Sequence, residues 1–271
     1  MGTYFLHEDG DILTEDAHWR CRLTSAVEHH CSRLIFAADS SAASDVSQLR
    51  RVREPVSRSK AGIQGKVADV ISGRSRHAES QNEIKAWQIL TATSRADSWQ
   101  EQPFTLEYHD GGAKHRYTPD ALVVRGSDRV VVEIKEDKDA ETPEARARFG
   151  IIRDRLAHHG YQFRLWKSSE IRAEPRLANV GLILRYRCVA VSPHERAVIL
   201  QAAASEIKLG SLCASTGAPV QNVLRLLLDG SLHIDWWVPV VLSSMISVNP
   251  IGRQEWPAPS AAAVESSEDV R

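Results

Sequence analysis

Tyr117-Thr-Pro-Asp120 and, after nine intervening residues, the run Val130-Val-Val-Glu-Ile-Lys135 decide how this chain is read. The second stretch is short, β-branched and closes in charge, which is the pattern of a buried strand. Side chains alternate along a strand, so Glu133 and Lys135 share one face and Ile134 takes the other. Ala121-Leu-Val-Val124, directly after Asp120, is a second short strand. Between them, Arg125-Gly-Ser-Asp-Arg129 has turn composition, with Gly126 supplying backbone freedom. Folded as a hairpin, the pair brings Asp120 towards Glu133. Two carboxylates and an ammonium then converge.

Such a convergence suits phosphodiester hydrolysis. Mg²⁺ is held by one or two carboxylates plus water and phosphate oxygens. A metal there polarises a phosphoryl oxygen and lowers the pKa of bound water. The lysine orients or deprotonates that water, or neutralises charge developing on the phosphate. An E-x-K triplet alone fits equally well on a hairpin carrying solvated charges. The preceding Pro119-Asp120, the hairpin spacing and the neighbouring elements favour the site.

Those neighbours come in a suitable order. Residues 79–92 have helical periodicity, with Glu83, Trp87 and Leu90 on one face. Ser80-Gln-Asn-Glu83 also matches a capping box, so Glu83 is open to two roles: cap, or third acid of a metal site, with Glu79 one turn away as its substitute. Phe104-Thr-Leu-Glu-Tyr108 alternates as an edge strand, and Asp110-Gly-Gly112 is a turn. Glu136 to Glu141 is a charged loop. A helix from Pro143 to about His159 places Phe149, Ile152 and Leu156 on one face, with Gly160 ending it. Tyr161-Gln-Phe-Arg-Leu-Trp166 alternates into a further strand.

This order resembles the PD-(D/E)xK nuclease fold, and more narrowly the TnsA-type endonuclease subunit of heteromeric transposases. Ala78-Glu-Ser-Gln-Asn-Glu83 matches that family's E-S-x-x-E helix start, and Glu101-Gln-Pro103 its Q-P strand entry. Glu170-Ile-Arg172 followed by Asn179-Val-Gly-Leu-Ile-Leu184 looks like its closing segment. The resemblance covers roughly residues 50 to 250. It implies an α/β, restriction-endonuclease-like mixed-sheet core and a Mg²⁺-dependent cut, with Mn²⁺ as a substitute, at transposon ends on the strand that the partner does not process. It also implies DNA, a DDE-type transposase subunit and an AAA+ transposition regulator as partners, the last through a C-terminal domain. By position, Glu83, Asp120, Glu133 and Lys135 inherit the catalytic roles, and Asp120, Glu133 and Glu83 (or Glu79) the metal.

Composition sets the bounds. The 271 residues suffice for one or two domains, and 42% hydrophobic with 25% charged residues is a globular composition. No apolar run is long enough to span a membrane, and no signal peptide precedes the acids after Leu6, so a cytoplasmic protein is expected. Cys21, Cys31, Cys188 and Cys213 are scattered, which fits reduced thiols. Cys21, His29, His30 and Cys31 match no common zinc spacing.

A net charge of −1 hides an asymmetry. Between residues 50 and 76 stand Arg50, Arg51, Arg53, Arg58, Lys60, Lys66, Arg74 and Arg76 against Glu54 and Asp69. With Ser57, Ser59, Gly62 and Gly65 interleaved, the segment is expected to be exposed and to track DNA phosphates; a solvated linker is the alternative.

The C-terminal part has the spacing of a winged helix. His194 to Ser205 is a helix, Leu209 opens a second, and Pro219 to Leu228 is a third with Val220, Val223, Leu224 and Leu227 inward. Leu232-His-Ile-Asp-Trp236 follows as a wing strand. A DNA reader is normally basic. Residues 192–250 carry Arg196, Lys208 and Arg225 against Glu195, Glu206, Asp229 and Asp235, so docking fits better than DNA reading. Trp236, Trp237 and Val238-Pro-Val-Val-Leu242 are either that docking surface or core.

The expected division is thus an N-terminal helical segment and linker at 1–49, with a helix from Thr14 to about Cys31; the endonuclease domain at 50–191; the winged helix at 192–250; and a disordered tail at 251–271. Two other functions remain open: a stand-alone restriction, repair or phage nuclease, and a non-catalytic assembly scaffold.

Overall fold

The computed structural model describes residues 5–6, 12–13, 32–37, 50–52, 65–69, 73–93 and 98–252. The expected Thr14–Cys31 helix, most of the small-residue linker, Arg53, Arg58, Lys60 and the tail from Pro257 lie outside them. Contacts divide the chain into two units: one takes its described residues from Met1–Arg58 and Asp97–Trp166, the other from Ser59–Ala96 and Lys167–Ala258. This division interleaves along the chain and does not follow the linear boundaries expected at 191 and 192.

The first unit is built on two sheets. Strands β1 (Phe5–Leu6) and β2 (Ile12–Leu13) pair separately. A three-stranded antiparallel sheet runs β3 (Ser32–Phe36), β7 (Phe104–Asp110), β8 (Ala113–Tyr117). A four-stranded sheet has the order β11 (Gln162–Lys167), β10 (Asp128–Lys135), β9 (Ala121–Arg125), β6 (Ser98–Glu101). The β9–β10 hairpin has the expected turn, with Arg125 opposite Asp128 and Gly126 at φ 56°. Leu122 stands opposite Val131, so period-two spacing carries Asp120 and Glu133 onto one face.

Phe104–Asp110 is not an edge strand. It is the centre of its sheet, paired with β3 on one side and β8 on the other. Its alternation survives because the two faces differ: Phe104, Leu106 and Tyr108 enter the core, while Thr105 and Glu107 face other polar groups. The core collects these three with Tyr117, Leu122, Val131, Phe149, Ile152, Leu156 and Phe163. The last helix of this unit supplies Phe149, Ile152 and Leu156 from one face, as its spacing requires.

In chain order the helices are α1 (Gln81–Thr93), α2 (Asp137–Ala140), α3 (Pro143–His158), α4 (Ser168–Ile171), α5 (Arg176–Leu184), α6 (Pro193–Ala202), α7 (Leu209–Thr216) and α8 (Val220–Leu228). Helix α2 corrects the expected charged loop. Thr142 caps α3 by accepting from the Ala145 N–H at 3.1 Å, ahead of Pro143 at the first turn.

In the second unit, β4 (Gly65–Asp69) and β5 (Arg74–Ala78) form a hairpin leading into α1, which packs on α4, α5 and α8. Trp87 and Leu90 are buried, and the Trp87 indole donates to the His77 carbonyl at 2.9 Å. Helices α6, α7 and α8 accompany a two-stranded ladder of β12 (Ile207–Lys208) and β13 (Met245–Ile246). A reciprocal capping box, Ser192 with Glu195, starts α6. The expected wing strand at 232–236 is reduced to one bridge, His233 to Ser247, because Leu232, Ile234 and Trp236 are buried in the core. Val220, expected inward, is exposed, whereas Val223, Leu224 and Leu227 are buried.

Candidate active site

Asp120 sits just before β9, and Glu133 and Lys135 close β10. The Ile134 N–H donates to Asp120 Oδ2 at 2.6 Å, fixing that carboxylate against the neighbouring strand. Lys135 Nζ lies 2.7 Å from Glu133 Oε1. Tyr117 Oη donates to Glu133 Oε2 at 2.8 Å. Each oxygen of Glu133 therefore has its own donor, and its orientation is fixed. Glu133 is only 5% exposed, so this pairing offsets the desolvation of a buried carboxylate.

The electrostatics follow from these contacts. Burial pulls the Lys135 ammonium down, but the carboxylates of Glu133 and Asp120 together push it above the ordinary lysine value. Burial, reinforced by the charges of Glu133 and Asp120, raises the Tyr117 phenol well above its usual range, so it stays a donor. Val52, Thr105, Arg116, Tyr117, Thr118, Glu133, Lys135 and Arg148 line a cleft of about 470 Å³. Three of these carry positive charge and one negative, which suits a phosphate-bearing ligand.

Tyr117 was quoted with the motif but given no role by the sequence; its contact with Glu133 gives it one. Gln102 is a second residue missed as a contributor. It is the one non-glycine residue with positive φ (45°) among the described residues, and it joins β6 to β7. Its N–H donates to the Asp120 carbonyl and its carbonyl accepts from the Val52 N–H, both at 3.0 Å. Residues held in this left-handed region cost about 1–3 kcal/mol and collect near functional sites. The Q-P dipeptide was the only sequence signal for it.

Glu83 and Glu79 belong to the second unit, at the start of α1. The Glu83 N–H donates to Ser80 Oγ at 3.1 Å, the Ser80 hydroxyl donates to Glu83 Oε1 at 2.9 Å, and the Glu79 N–H donates to Oε2 at 2.8 Å. The cap role of Glu83 is thus realised.

The basic segment is not one exposed ribbon. Arg76 is 2% exposed and binds Asp69 through Nε at 3.1 Å and Nη2 at 3.0 Å; the two are diagonal on the β4–β5 hairpin, where Arg76 pairs with Val67 and Asp69 with Arg74, and both are buried. Arg76 is therefore not part of an exposed basic surface. Lys66 and Arg74 on the same hairpin are exposed, as is Arg50. Arg51 is half-buried, 3.9 Å from Glu101.

Among the described residues, no group of three or more His, Cys, Asp and Glu side chains is placed to hold a metal ion. Two carboxylates on adjacent strands do fit the oxygen-rich, partly hydrated coordination of Mg²⁺, and they do not fit a structural zinc.

Residues 94–168 match the family model described as TnsA-like endonuclease N terminal. A search of curated proteins finds no match. The matched stretch contains Tyr117, Asp120, Glu133 and Lys135 and ends at Ser168, the first residue of α4. The hairpin, the acids and the lysine thus all lie inside the stretch that is similar to a TnsA-like endonuclease N-terminal domain.

Proposed function

We propose that this protein is the endonuclease subunit of a heteromeric transposase, hydrolysing phosphodiester bonds at transposon ends on the strand its DDE-type partner does not process. The observation that carries this reading is the Asp120–Glu133–Lys135 cluster, with Lys135 held 2.7 Å from Glu133 and Asp120 locked to the next strand at 2.6 Å. Asp120 and Glu133 would hold Mg²⁺, or Mn²⁺ in its place, which supplies Lewis acidity and an activated water when bound. Lys135, kept as an ammonium by the two carboxylates, neutralises charge developing on the phosphoryl oxygens. Tyr117 holds Glu133 in its working rotamer.

The C-terminal residues serve an AAA+ regulator in this reading. Helices α6 to α8 with the β12–β13 ladder have the order of a winged helix, yet the charge is wrong for reading DNA. Asp229 engages Arg196 at 2.6 Å and lies 3.8 Å from Arg225, which occupies two of the three cations there. Val238, Val241 and Leu242 are 52%, 51% and 65% exposed, an apolar surface suited to a protein partner.

The experiment is strand cleavage by the complete recombination machinery assembled with Asp120→Ala. Activity falls by at least about 10²-fold, while the subunit still folds, its melting temperature lowered only by the lost acceptor for the Ile134 N–H. Replacing Mg²⁺ with Ca²⁺ leaves DNA binding but no cleavage, because the larger ion coordinates loosely. Unchanged cleavage in Asp120→Ala overturns the assignment.

A further inference from the structure

The polar face of the β3–β7–β8 sheet carries more positive charge than the fold needs. Arg33 stands opposite Glu107, and Glu107 opposite Arg116, so the three form one row across the sheet. The Glu107 side chain, 7% exposed, accepts from Arg33 Nε at 2.6 Å, lies 2.9 Å from Lys114 Nζ, and lies 3.2 Å from Arg116 Nε. One carboxylate thus gathers three cations, and the row stays net positive. Two residues along the same face, the hydroxyls of Thr105 and Thr118 share a hydrogen bond of 2.9 Å. Both threonines and Arg116 line the cleft beside Glu133 and Lys135, where Arg148 joins them from α3.

A purely structural ion cluster would cover its cations. Arg33 is largely covered, but the Lys114 and Arg116 side chains are 47% and 64% exposed. Burial pushes the Glu107 carboxyl up, and the hydrogen bonds and charges of Lys114 and Arg33 outweigh it and hold it below the usual carboxylate range. Glu107 therefore stays ionised at neutral pH, a buried anchor for exposed cationic arms. Anchored cations lose less side-chain entropy on meeting a ligand than free ones.

We propose that Lys114, Arg116 and Arg148 form the phosphate track that seats duplex DNA at the cleft, with Glu107 as the residue that positions the first two. The proposal rests on the nuclease reading of the same cleft and adds residues that lie outside the basic segment at 50–76. Contacts of this kind set the register of the duplex without reading sequence. Phosphates near the cut would meet Arg116 from β8 and Arg148 from α3, which line the same cleft as Lys135.

The test is fluorescence anisotropy of the full-length protein with a short labelled DNA duplex in Ca²⁺, repeated over a series of NaCl concentrations. Lys114→Gln, Arg116→Gln and Arg148→Gln each weaken binding and reduce the slope of log K against log salt by about one, and the Arg116→Gln/Arg148→Gln pair by about two. A slope unchanged in the pair overturns the track, and so does binding by the unaltered protein that ignores salt. Glu133→Gln runs in parallel as the arm for the nuclease reading. If it still cuts, that reading fails, and the track stands or falls on the slopes alone.

Discussion

At the scale of single residues, the site depends on how Glu133 is held. Lys135 takes one carboxylate oxygen and Tyr117 the other, so no rotation is needed to present the group. Tyr117→Phe removes one donor without changing volume. It is expected to lower cleavage by roughly 10–100-fold, the usual cost of losing a partner of a metal-binding carboxylate. Isothermal titration with Mn²⁺ checks the cause, since affinity falls with activity. Full activity at unaltered affinity removes Tyr117 from the site. The acids and the lysine were legible because strand alternation alone places 133 and 135 together. Tyr117 was not, because its hydroxyl reaches Glu133 across sixteen positions, and no local pattern records that.

At the scale of elements, what was legible follows periodicity. The β9–β10 hairpin and α3 were read almost to the residue, since each has an unbroken apolar pattern and a turn or cap at its end. Strand β8 was missed because Ala-Lys-His-Arg-Tyr presents one buried residue in five, which leaves no alternation to detect. The edge assignment of β7 failed for a related reason: Thr105 and Glu107 are the polar half of a central strand whose second face is covered by charged partners. At the start of α1 the sequence offered two roles for Glu83. Glu83→Ala is expected to cost about 1 kcal/mol, while Glu83→Gln, which still accepts from the backbone, costs little. Thermal unfolding checks this. Lost cleavage in Glu83→Gln at unaltered stability would give Glu83 a role beyond the cap.

At the scale of the whole molecule, the described residues fall into two units interleaved along the chain. Local composition cannot show this, because α1 finds its packing partners α5 and α8 roughly a hundred residues away. A consequence concerns how the C-terminal surface is tested. Truncation after Ser192 would strip α8 from α1, so it reports on stability as much as on docking. Val241→Asp with Leu242→Asp leaves the core untouched, since both side chains are exposed. The pair is expected to weaken capture of the AAA+ regulator at least about tenfold, with little dependence on salt. Tight, salt-sensitive binding of DNA by this surface would reverse that assignment.

The most direct measurement is strand cleavage at transposon ends across a Mg²⁺ series, by the complete recombination machinery assembled with Glu133→Gln. Glutamine keeps the side-chain volume; its oxygen can still accept from Lys135 while its amide N–H donates to the Tyr117 hydroxyl, so the charge is lost and the packing kept. The account predicts an intact, normally melting subunit with no cleavage of its strand at any Mg²⁺ concentration, while the partner transposase continues to process the other strand. Cleavage of both strands at the unaltered rate would contradict it.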